Sequence, residues 1–183
     1  MTFSITGHCA RTGMAGVAIT TSSICVGSRC PHARAGVGAV ATQNITDPTL
    51  GPQGLDLLAN GANAHETIAA LKRSGSHIDF RQILVVDRHG GTAIHSGAQA
   101  LGIWSQAQAE NVAAGGNLLA ADHIPQALVD GFLASRGHLG DRLVAAMRAG
   151  LQAGGEAGPV HSAGMKLVDE VAWPVADLRC DWT

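Results

Sequence analysis

Tyrosine is absent from the sequence, and phenylalanine and tryptophan together supply only 3% of its 183 residues. Aromatic anchors therefore do not dominate its core. Apolar residues nevertheless make up 46% of the chain, which also contains 24 glycines, so we expect a core packed closely through small side chains. The length is sufficient for one well-buried core, and nothing in the composition divides the chain in two. We therefore predict a single globular domain over residues 1–183.

Charged residues are scarce as well. They make up 14% of the chain, and 12 Lys and Arg against 14 Asp and Glu give a formal net charge of −2. Nucleic acids and anionic membranes are recognised by concentrated lysine and arginine, and the sequence has no such cluster. We therefore expect a small-molecule substrate, and neither nucleic acid nor a membrane as a partner.

Long apolar runs are also missing. No uninterrupted run reaches the roughly 18 residues of a membrane span, and the start lacks the basic-then-apolar layout of a signal peptide. We therefore expect a cytoplasmic protein. Its cysteines are few for the length and form no Cys-x-x-Cys pair, which in a reducing compartment indicates mostly buried thiols and no disulfide scaffold. They are Cys9, Cys25, Cys30 and Cys180.

Alternating apolar and polar side chains predict a β-hairpin over residues 2–8 and 14–22. Residues 35–43 form a further predicted strand, and leucine and isoleucine at helical spacing predict two successive helices between Gly54 and Gly75. The remaining predicted elements are a hairpin over residues 81–87 and 92–97, helices over 124–135 and 139–153, and a strand over 165–168. Glycine makes residues 154–159 the most flexible predicted loop. Strands segregated from helices are typical of an α+β fold.

Five ordered segments together resemble one bacterial family. They are Met1–Ile5, Ala35–Leu58, Ile94–Gly97, Gly116–Leu119 and Asp177–Trp182. The family is the Ntn-hydrolase-like family catalogued as domain of unknown function 1028, and the resemblance extends over essentially the whole chain. It implies the four-layer αββα sandwich of Ntn hydrolases. Family members commonly continue past the Asp-Trp pair into a further helical stretch, so the resemblance also implies that a C-terminal extension is missing here.

Thr2 is the nucleophile that this resemblance implies. Methionine is usually removed when the second residue is small, which would leave Thr2 with a hydroxyl and a free α-amine. An α-amine is partly unprotonated near neutral pH, so one residue would supply both nucleophile and base. The alternative is that Thr2 only begins a strand, and a retained Met1 would block the amine.

Two further residues are candidates for catalysis. Asn117 follows Gly115-Gly116, where we expect a bend that could present its amide to a developing oxyanion, as donors do opposite the nucleophile of Ntn hydrolases. The alternative role for Asn117 is to satisfy carbonyls of a turn. His95 stands at a predicted strand end, where it could bind substrate or orient a neighbour, or serve as a hydrogen-bonded core histidine.

The polar end of the 35–43 strand supplies candidate substrate-binding residues. Gln43 and Asn44 could recognise an amide or a urea-like group by paired hydrogen bonds. Asp47 precedes a proline and is a turn residue in the first instance. Arg29 and Arg34, in the loop before that strand, could hold a carboxylate, because a guanidinium offers a planar pair of donors, or could be solvated surface arginines.

We expect no cofactor and no metal. Cys30 and His32 could ligate a metal, but no third and fourth ligand stand at a spacing typical of metal sites. The Gly36-Val37-Gly38 segment lacks the full phosphate-cradling pattern and is better explained as a close-packed strand. A flat, weakly charged, glycine-rich sandwich is expected to form a homo-oligomer.

Two functions remain open on the sequence. The first is an N-terminal-nucleophile amidohydrolase in which Thr2 attacks a small amide, cyclic amide or ureide and Asn117 helps to hold the oxyanion. The second is a non-catalytic domain of the same fold that binds a small molecule or has a structural role. A third function, a thiol enzyme that uses Cys25 or Cys30, is not supported, because the sequence indicates no base that would activate either thiol.

Overall fold

The computed structural model describes all residues 1–183, which form ten β-strands and four α-helices. The strands are β1 Thr2–His8, β2 Ala15–Thr21, β3 Pro31–Arg34, β4 Gly38–Gln43, β5 Gln82–Asp87, β6 Thr92–Ser96, β7 Ser105–Ala109, β8 Val112–Asn117, β9 Ser162–Val168 and β10 Ala176–Cys180. The helices are α1 Leu50–Ala59, α2 Ala64–Ser74, α3 Ile124–Ala134 and α4 Leu139–Gln152. None of these helices is long and apolar enough to cross a membrane.

The strands form two antiparallel sheets. The first sheet has six strands in the order β10-β9-β2-β1-β8-β7, and the second has four in the order β3-β4-β5-β6. The inner faces of the two sheets meet through small apolar side chains: Ala15, Val17, Ala39, Ala41, Leu84, Val86, Ala113 and Val168. Small residues there let the sheets approach closely, in keeping with the glycine- and alanine-rich composition.

Each sheet packs its other face against a helix pair. Helices α3 and α4 contact the first sheet, where Phe3 of β1 and Phe132 of α3 are fully buried. Helices α1 and α2 contact the second sheet, where Leu71 of α2 is fully buried. Successive strand residues project to opposite faces, so Thr2, next to Phe3, faces the interior between the sheets.

Local sequence accounts for several element boundaries. Helix α2 begins with a capping box in which the Asn63 side chain accepts from the Glu66 N–H and the Glu66 carboxylate accepts from the Asn63 N–H, and each such cap stabilises a helix by about 1 kcal/mol. The Asp47 carboxylate accepts hydrogen bonds from the N–H and the hydroxyl of Thr49. It thereby forms the turn predicted at Asp47, directly before α1.

The α+β prediction is confirmed, and most predicted elements agree with the structure within a few residues. The sequence analysis missed β3, β7, β8 and β10. The bend expected at Gly115-Gly116 is wrong, because both glycines continue β8 between β1 and β7. The turn lies one residue later than Asn117, where Leu118 has a positive φ of 50°. All four cysteines are free, and Cys9 and Cys30 are buried whereas Cys180 is exposed.

Candidate functional site

Six strands place a polar residue at the same end of the two sheets, where these strands begin or end. These residues are Thr2, Thr21, Gln43, Gln82, Ser96 and Asn117, which stand at the starts of β1 and β5 and at the ends of β2, β4, β6 and β8. Antiparallel pairing brings them together: Thr2 lies opposite both Thr21 and Asn117, and Gln82 lies opposite both Gln43 and Ser96. We call these six residues the Thr2 edge.

The Thr2 hydroxyl lies among other hydroxyl groups. Thr2 is 9% exposed, and its Oγ1 donates to the Met1 carbonyl at 2.6 Å and lies 3.0 Å from Thr21 Oγ1. Thr21 Oγ1 also donates to the Met1 carbonyl and lies 3.2 Å from Ser23 Oγ. The half-buried Met1 packs against Gly158, where a Cβ would lie only 2.7 Å from Met1 Cε. The start of the chain is therefore part of the packed structure.

A network of amide side chains lies beside this cluster and joins the two sheets. Asn117 Nδ2 of the first sheet donates to Gln82 Oε1 of the second at 2.9 Å. Gln82 Nε2 donates to the Gly116 carbonyl at 3.0 Å and to Ser96 Oγ at 3.1 Å. An amide nitrogen has two hydrogens, and the second hydrogen of Asn117 Nδ2 has no acceptor in the protein. Asn117 therefore keeps one oriented donor free.

Gln43 extends the same network. Its Oε1 accepts from Ser4 Oγ at 2.7 Å, and its Nε2 donates to Gln82 Oε1 and to the Gly115 carbonyl, both at 3.2 Å. All of these residues are buried. Because the polar atoms of the Gln43 amide are already bonded within the protein, Gln43 fixes the orientation of Gln82 in this structure.

Glu156 is a buried carboxyl group close to the start of the chain. The residue is 6% exposed; Oε2 accepts from the Ser22 N–H at 3.0 Å, whereas Oε1 is buried without a partner. Burial raises the pKa of Glu156 to about 7, although the positive amino terminus, the Ser22 N–H and His161 act in the opposite direction. Such a group can donate or accept a proton near neutral pH.

The two candidate arginines have different surroundings. Arg29 Nη2 donates to Ser23 Oγ at 2.6 Å, and Ser23 in turn contacts Thr21, so Arg29 is connected to the Thr2 edge through two hydroxyl groups. Arg34 instead forms an exposed ion pair with Asp56 of α1, with 2.7 Å between Nη2 and Oδ1. Arg34 stands at the end of β3 next to the start of β4, so the structure does not bring it to the Thr2 edge.

His95 lies on the face of β6 turned away from Asn117. Along β6, Ala93 joins the cluster with α2, Ile94 joins the cluster between the sheets, and alternation returns His95 to the α2 side. Its Nε2 lies 2.9 Å from the Ile78 carbonyl. In this structure His95 anchors the segment before β5, and its predicted catalytic role stays a prediction.

Asn44 and the cysteine loop contribute to the surroundings of the site. Asn44 has a positive φ of 60°, its Nδ2 donates to the Phe80 carbonyl, and its Oδ1 accepts from the Leu101 N–H at 3.2 Å. It therefore joins three loops.

The Cys30 thiol is not set up as a nucleophile. Cys30 Sγ lies 3.8 Å from Thr46 Oγ1, and burial raises the pKa of its thiol, which disfavours a nucleophilic thiolate. No three His, Cys, Asp or Glu residues come together as a metal site would require.

Sequence reasoning missed Thr21, Gln82 and Glu156. Gln82 has a visible signal, because a glutamine directly before Ile83-Leu84-Val85-Val86 is a polar residue in a strand that is otherwise apolar. The only sequence signal for Thr21 is its position at the end of the first predicted hairpin. Glu156 lies in the loop predicted to be most flexible, yet Glu156 pairs with Leu119 in an isolated β-bridge and is buried. No local signal identifies Glu156.

The comparisons with known proteins agree on one family. Residues 2–183 match the model of a family described as a family of unknown function, DUF1028. The crystal structure of protein SPO2555 from Silicibacter pomeroyi, described with the same family designation, is similar to this chain with a TM-score of 0.91 and 28% sequence identity. The match covers 100% of this chain and 82% of that chain. A search of curated proteins gave no match.

Proposed function

The chain belongs to the DUF1028 family, and on that premise we propose that it is an N-terminal-nucleophile amidohydrolase acting on a small amide, cyclic amide or ureide. The observation that carries the proposal is the position of Thr2 between Thr21 and Asn117 on the inner face of the first sheet. The register supports the proposal because it makes the Thr2 hydroxyl and the Asn117 amide neighbours at the residue that methionine removal would expose.

The proposal includes the fold, which we assign to the four-layer αββα sandwich of the Ntn-hydrolase type. It is supported by the contacts of α1 and α2 with one sheet, of α3 and α4 with the other, and of the two sheets with each other. In that architecture the nucleophile is the first residue of a strand that faces the partner sheet. Thr2 at the start of β1 meets this description.

In the first step, Thr2 Oγ1 would attack the carbonyl carbon of the substrate. The free α-amine of Thr2 accepts the hydroxyl proton as the new C–O bond forms. The second hydrogen of Asn117 Nδ2 donates to the oxyanion, and the bond from Nδ2 to Gln82 Oε1 holds that donor in place before substrate arrives. The protonated amine then gives its proton to the leaving nitrogen as the C–N bond breaks, which leaves an ester on Thr2.

In the second step, water would hydrolyse that ester. The α-amine accepts a proton from the attacking water and returns it to Thr2 Oγ1, so the enzyme regains its starting state and the acyl group leaves as an acid. Glu156 would support this cycle as a carboxyl group close to the amino terminus, with a pKa that burial raises to about 7. Its role is to stabilise the protonated amine by charge, while the proton transfers themselves belong to Thr2.

Arg29 is the residue that we propose for contact with an acidic group of the substrate. Its guanidinium donates to the Ile24 carbonyl and to Ser23 Oγ, and Ser23 contacts Thr21 of the Thr2 edge. A guanidinium binds carboxylate oxygens more strongly than neutral acceptors. The substrate class that fits is a small amide or ureide that also carries a carboxylate.

Covalent labelling with a β-lactone tests this function without knowledge of the substrate. A nucleophilic hydroxyl opens the lactone ring and keeps the acyl group as an ester, so the protein gains the mass of the probe. We expect intact mass to show loss of Met1, and labelling to map to Thr2. Thr2→Ser should still be labelled and Thr2→Ala should not, while Thr6→Ala, on the same face of β1, serves as the matched control. Labelling of Thr2→Ala at the wild-type rate would contradict the proposal.

The alternative is a non-catalytic domain that binds a small molecule or has a structural role. One observation favours it: the Met1 carbonyl accepts from both Thr2 and Thr21, and the Met1 side chain packs against Gly158. A protein that keeps Met1 has no free amine at Thr2. Retention of Met1 in the intact mass, together with no labelling of Thr2, would support this alternative.

A further inference from the structure

Strand β10 is a free edge of the first sheet. It pairs with β9 on one side only, and Asp177, Leu178, Arg179 and Cys180 are exposed. Residues of an edge strand present N–H and C=O groups that can pair with another strand, and proteins usually protect such edges. In this protein neither a proline within β10 nor a covering helix blocks the edge. The strand is therefore open to a further strand.

The surface around β10 is unusually apolar. Trp173 is 68% exposed and Leu178 is 57% exposed. Other large apolar residues exposed on the same segment or on α4 are Val144, Leu151, Val171, Val175 and Trp182. A groove of about 480 Å³ lies between α4 and the β9 and β10 strands and is lined mostly by apolar side chains, including Met147, Leu151 and Leu178. An exposed apolar groove with further exposed apolar residues on the elements beside it is typical of interaction sites.

We propose that β10 binds a second copy of this chain by antiparallel pairing with the partner's β10, about a twofold axis at Leu178. The argument for a second copy is charge complementarity within the strand itself. Antiparallel pairing centred on Leu178 sets Asp177 opposite the partner's Arg179, and Arg179 opposite the partner's Asp177. The strand is thus complementary to itself, as a twofold interface requires, and opposite charges across a ladder stabilise the pairing.

The side chains have the capacity for these contacts. Within one chain, Arg179 Nε and Nη2 donate to the two carboxylate oxygens of Asp177 at 3.0 and 3.2 Å. Arg179 Nη1 makes no hydrogen bond, and carboxylate oxygens each accept more than one. Arg179 and Lys166 hold the pKa of Asp177 below its usual range, so the carboxylate is ionised and available to the partner's Arg179.

The apolar surface is covered in the same arrangement. Leu178 contributes to the groove beside α4, and residues directly opposite in a ladder project from the same face of the sheet. The partner's Leu178 therefore lies against Leu178 above the groove. Pairing at β10 removes the free edge and buries the exposed leucine in one event. This inference does not depend on the proposed hydrolase activity, because Thr2 faces the other side of the sheet.

The test is a charge-reversal exchange followed by light scattering and analytical ultracentrifugation. We expect the wild-type protein to be a dimer. In a dimer of the Asp177→Arg variant, arginine faces arginine at both charged pairs, and in a dimer of the Arg179→Asp variant, aspartate faces aspartate. We therefore expect the dissociation constant of each variant dimer to rise about tenfold or more. When the two variants are mixed, every arginine again faces an aspartate, and the dimer should return as a heterodimer.

Three outcomes would overturn the proposal: a monomeric wild-type protein at all concentrations, variants that remain dimers, or a mixture that stays monomeric. Arg73→Asp, an exposed charge reversal on α2, is the matched control and should remain a dimer. Circular dichroism and melting temperature show whether each variant is folded. Labelling of Thr2 measured on the same samples separates a failure of this interface from a failure of the hydrolase proposal.

Discussion

Thr2 and Asn117 lie directly opposite each other in the ladder between β1 and β8. The Cβ atoms of such opposed residues are about 4.5–5.5 Å apart, with the side chains on the same face. In the proposed reaction, this register would bring the oxygen of a carbonyl attacked by Thr2 Oγ1 within reach of Asn117 Nδ2. Strand register alone creates this pair, across 115 residues of sequence.

Replacement of Asn117 by aspartate should slow acylation of Thr2. The carboxylate has nearly the same shape as the amide, but it offers no donor and repels the developing oxyanion. Loss of one oxyanion donor typically costs about a hundredfold to a thousandfold in rate, and we expect a decrease of this order in the rate of β-lactone labelling. Asn60→Asp, at the end of α1, is the control. Unchanged labelling of Asn117→Asp would remove Asn117 from the mechanism.

Replacement of Gln82 by leucine should destabilise the fold. The amide of Gln82 bonds to Asn117 and Gly116 in the first sheet and to Gln43 and Ser96 in the second. Leucine removes the acceptor of the buried Asn117 amide, and an unsatisfied buried donor costs about 1–3 kcal/mol. Because Gln43 Nε2 keeps the Gly115 carbonyl and Ser96 is only half-buried, we expect a total loss of about 3 kcal/mol in the free energy of unfolding, measured by urea denaturation. The matched change Gln106→Leu, on exposed β7, should cost little. Equal stability of the two variants would show that the network is not stabilising.

Glu156 should make stability depend on pH. Because burial raises its pKa from 4.5 to about 7, the folded protein binds more protons than the unfolded chain between these values. The stability that the protonated carboxyl contributes is therefore fully present below pH 4.5 and is lost as the pH rises through 7.

Glu156→Gln cannot ionise, so the variant should gain stability over the wild type as the pH rises from 4.5 to 7. We expect a gain of about 1–2 kcal/mol, which is below the upper bound set by the full shift. Denaturant unfolding at a series of pH values measures the gain, and Glu110→Gln on the surface is the control. A difference between Glu156→Gln and wild type that stays constant with pH would contradict the assigned shift.

His95→Phe distinguishes an anchoring histidine from a catalytic one. Loss of the bond between His95 Nε2 and the Ile78 carbonyl should lower the free energy of unfolding by about 1 kcal/mol. Labelling of Thr2 should keep the wild-type rate, because His95 faces α2. A labelling rate that falls by tenfold or more in a folded variant would instead favour the catalytic role predicted from the sequence.

Local patterns predicted the elements that depend on local chemistry. The hairpin of β1 and β2 and the paired helices α1 and α2 follow from alternation, helical spacing and turn residues within about 20 residues. Strands β7 and β8 were missed because they are made of alanine, glycine and polar residues, which carry weak strand signals. The pairing of β8 with β1, and of β7 with β8, is a tertiary effect that overrides weak propensity.

The site was predicted in part for the same reason. Thr2 follows from its place after Met1, and Asn117 and Gln43 from the segments that carry the family resemblance. Gln82 joins them only through the register between strands that are 39 residues apart in sequence. Glu156 is buried by contacts with Ser22 and Leu119, which are distant in sequence. Single-sequence patterns hold no information on such pairings.

The pairing of β1 between β2 and β8 also sets a time limit on the maturation of the protein. Met1 is half-buried in the folded protein, so we expect an aminopeptidase to have readier access to it before β8 joins the sheet. Asn117 leaves the ribosome 115 residues after Thr2, which corresponds to roughly 6–23 s at typical rates of synthesis. If Met1 is removed as proposed, we expect its removal to take place during translation.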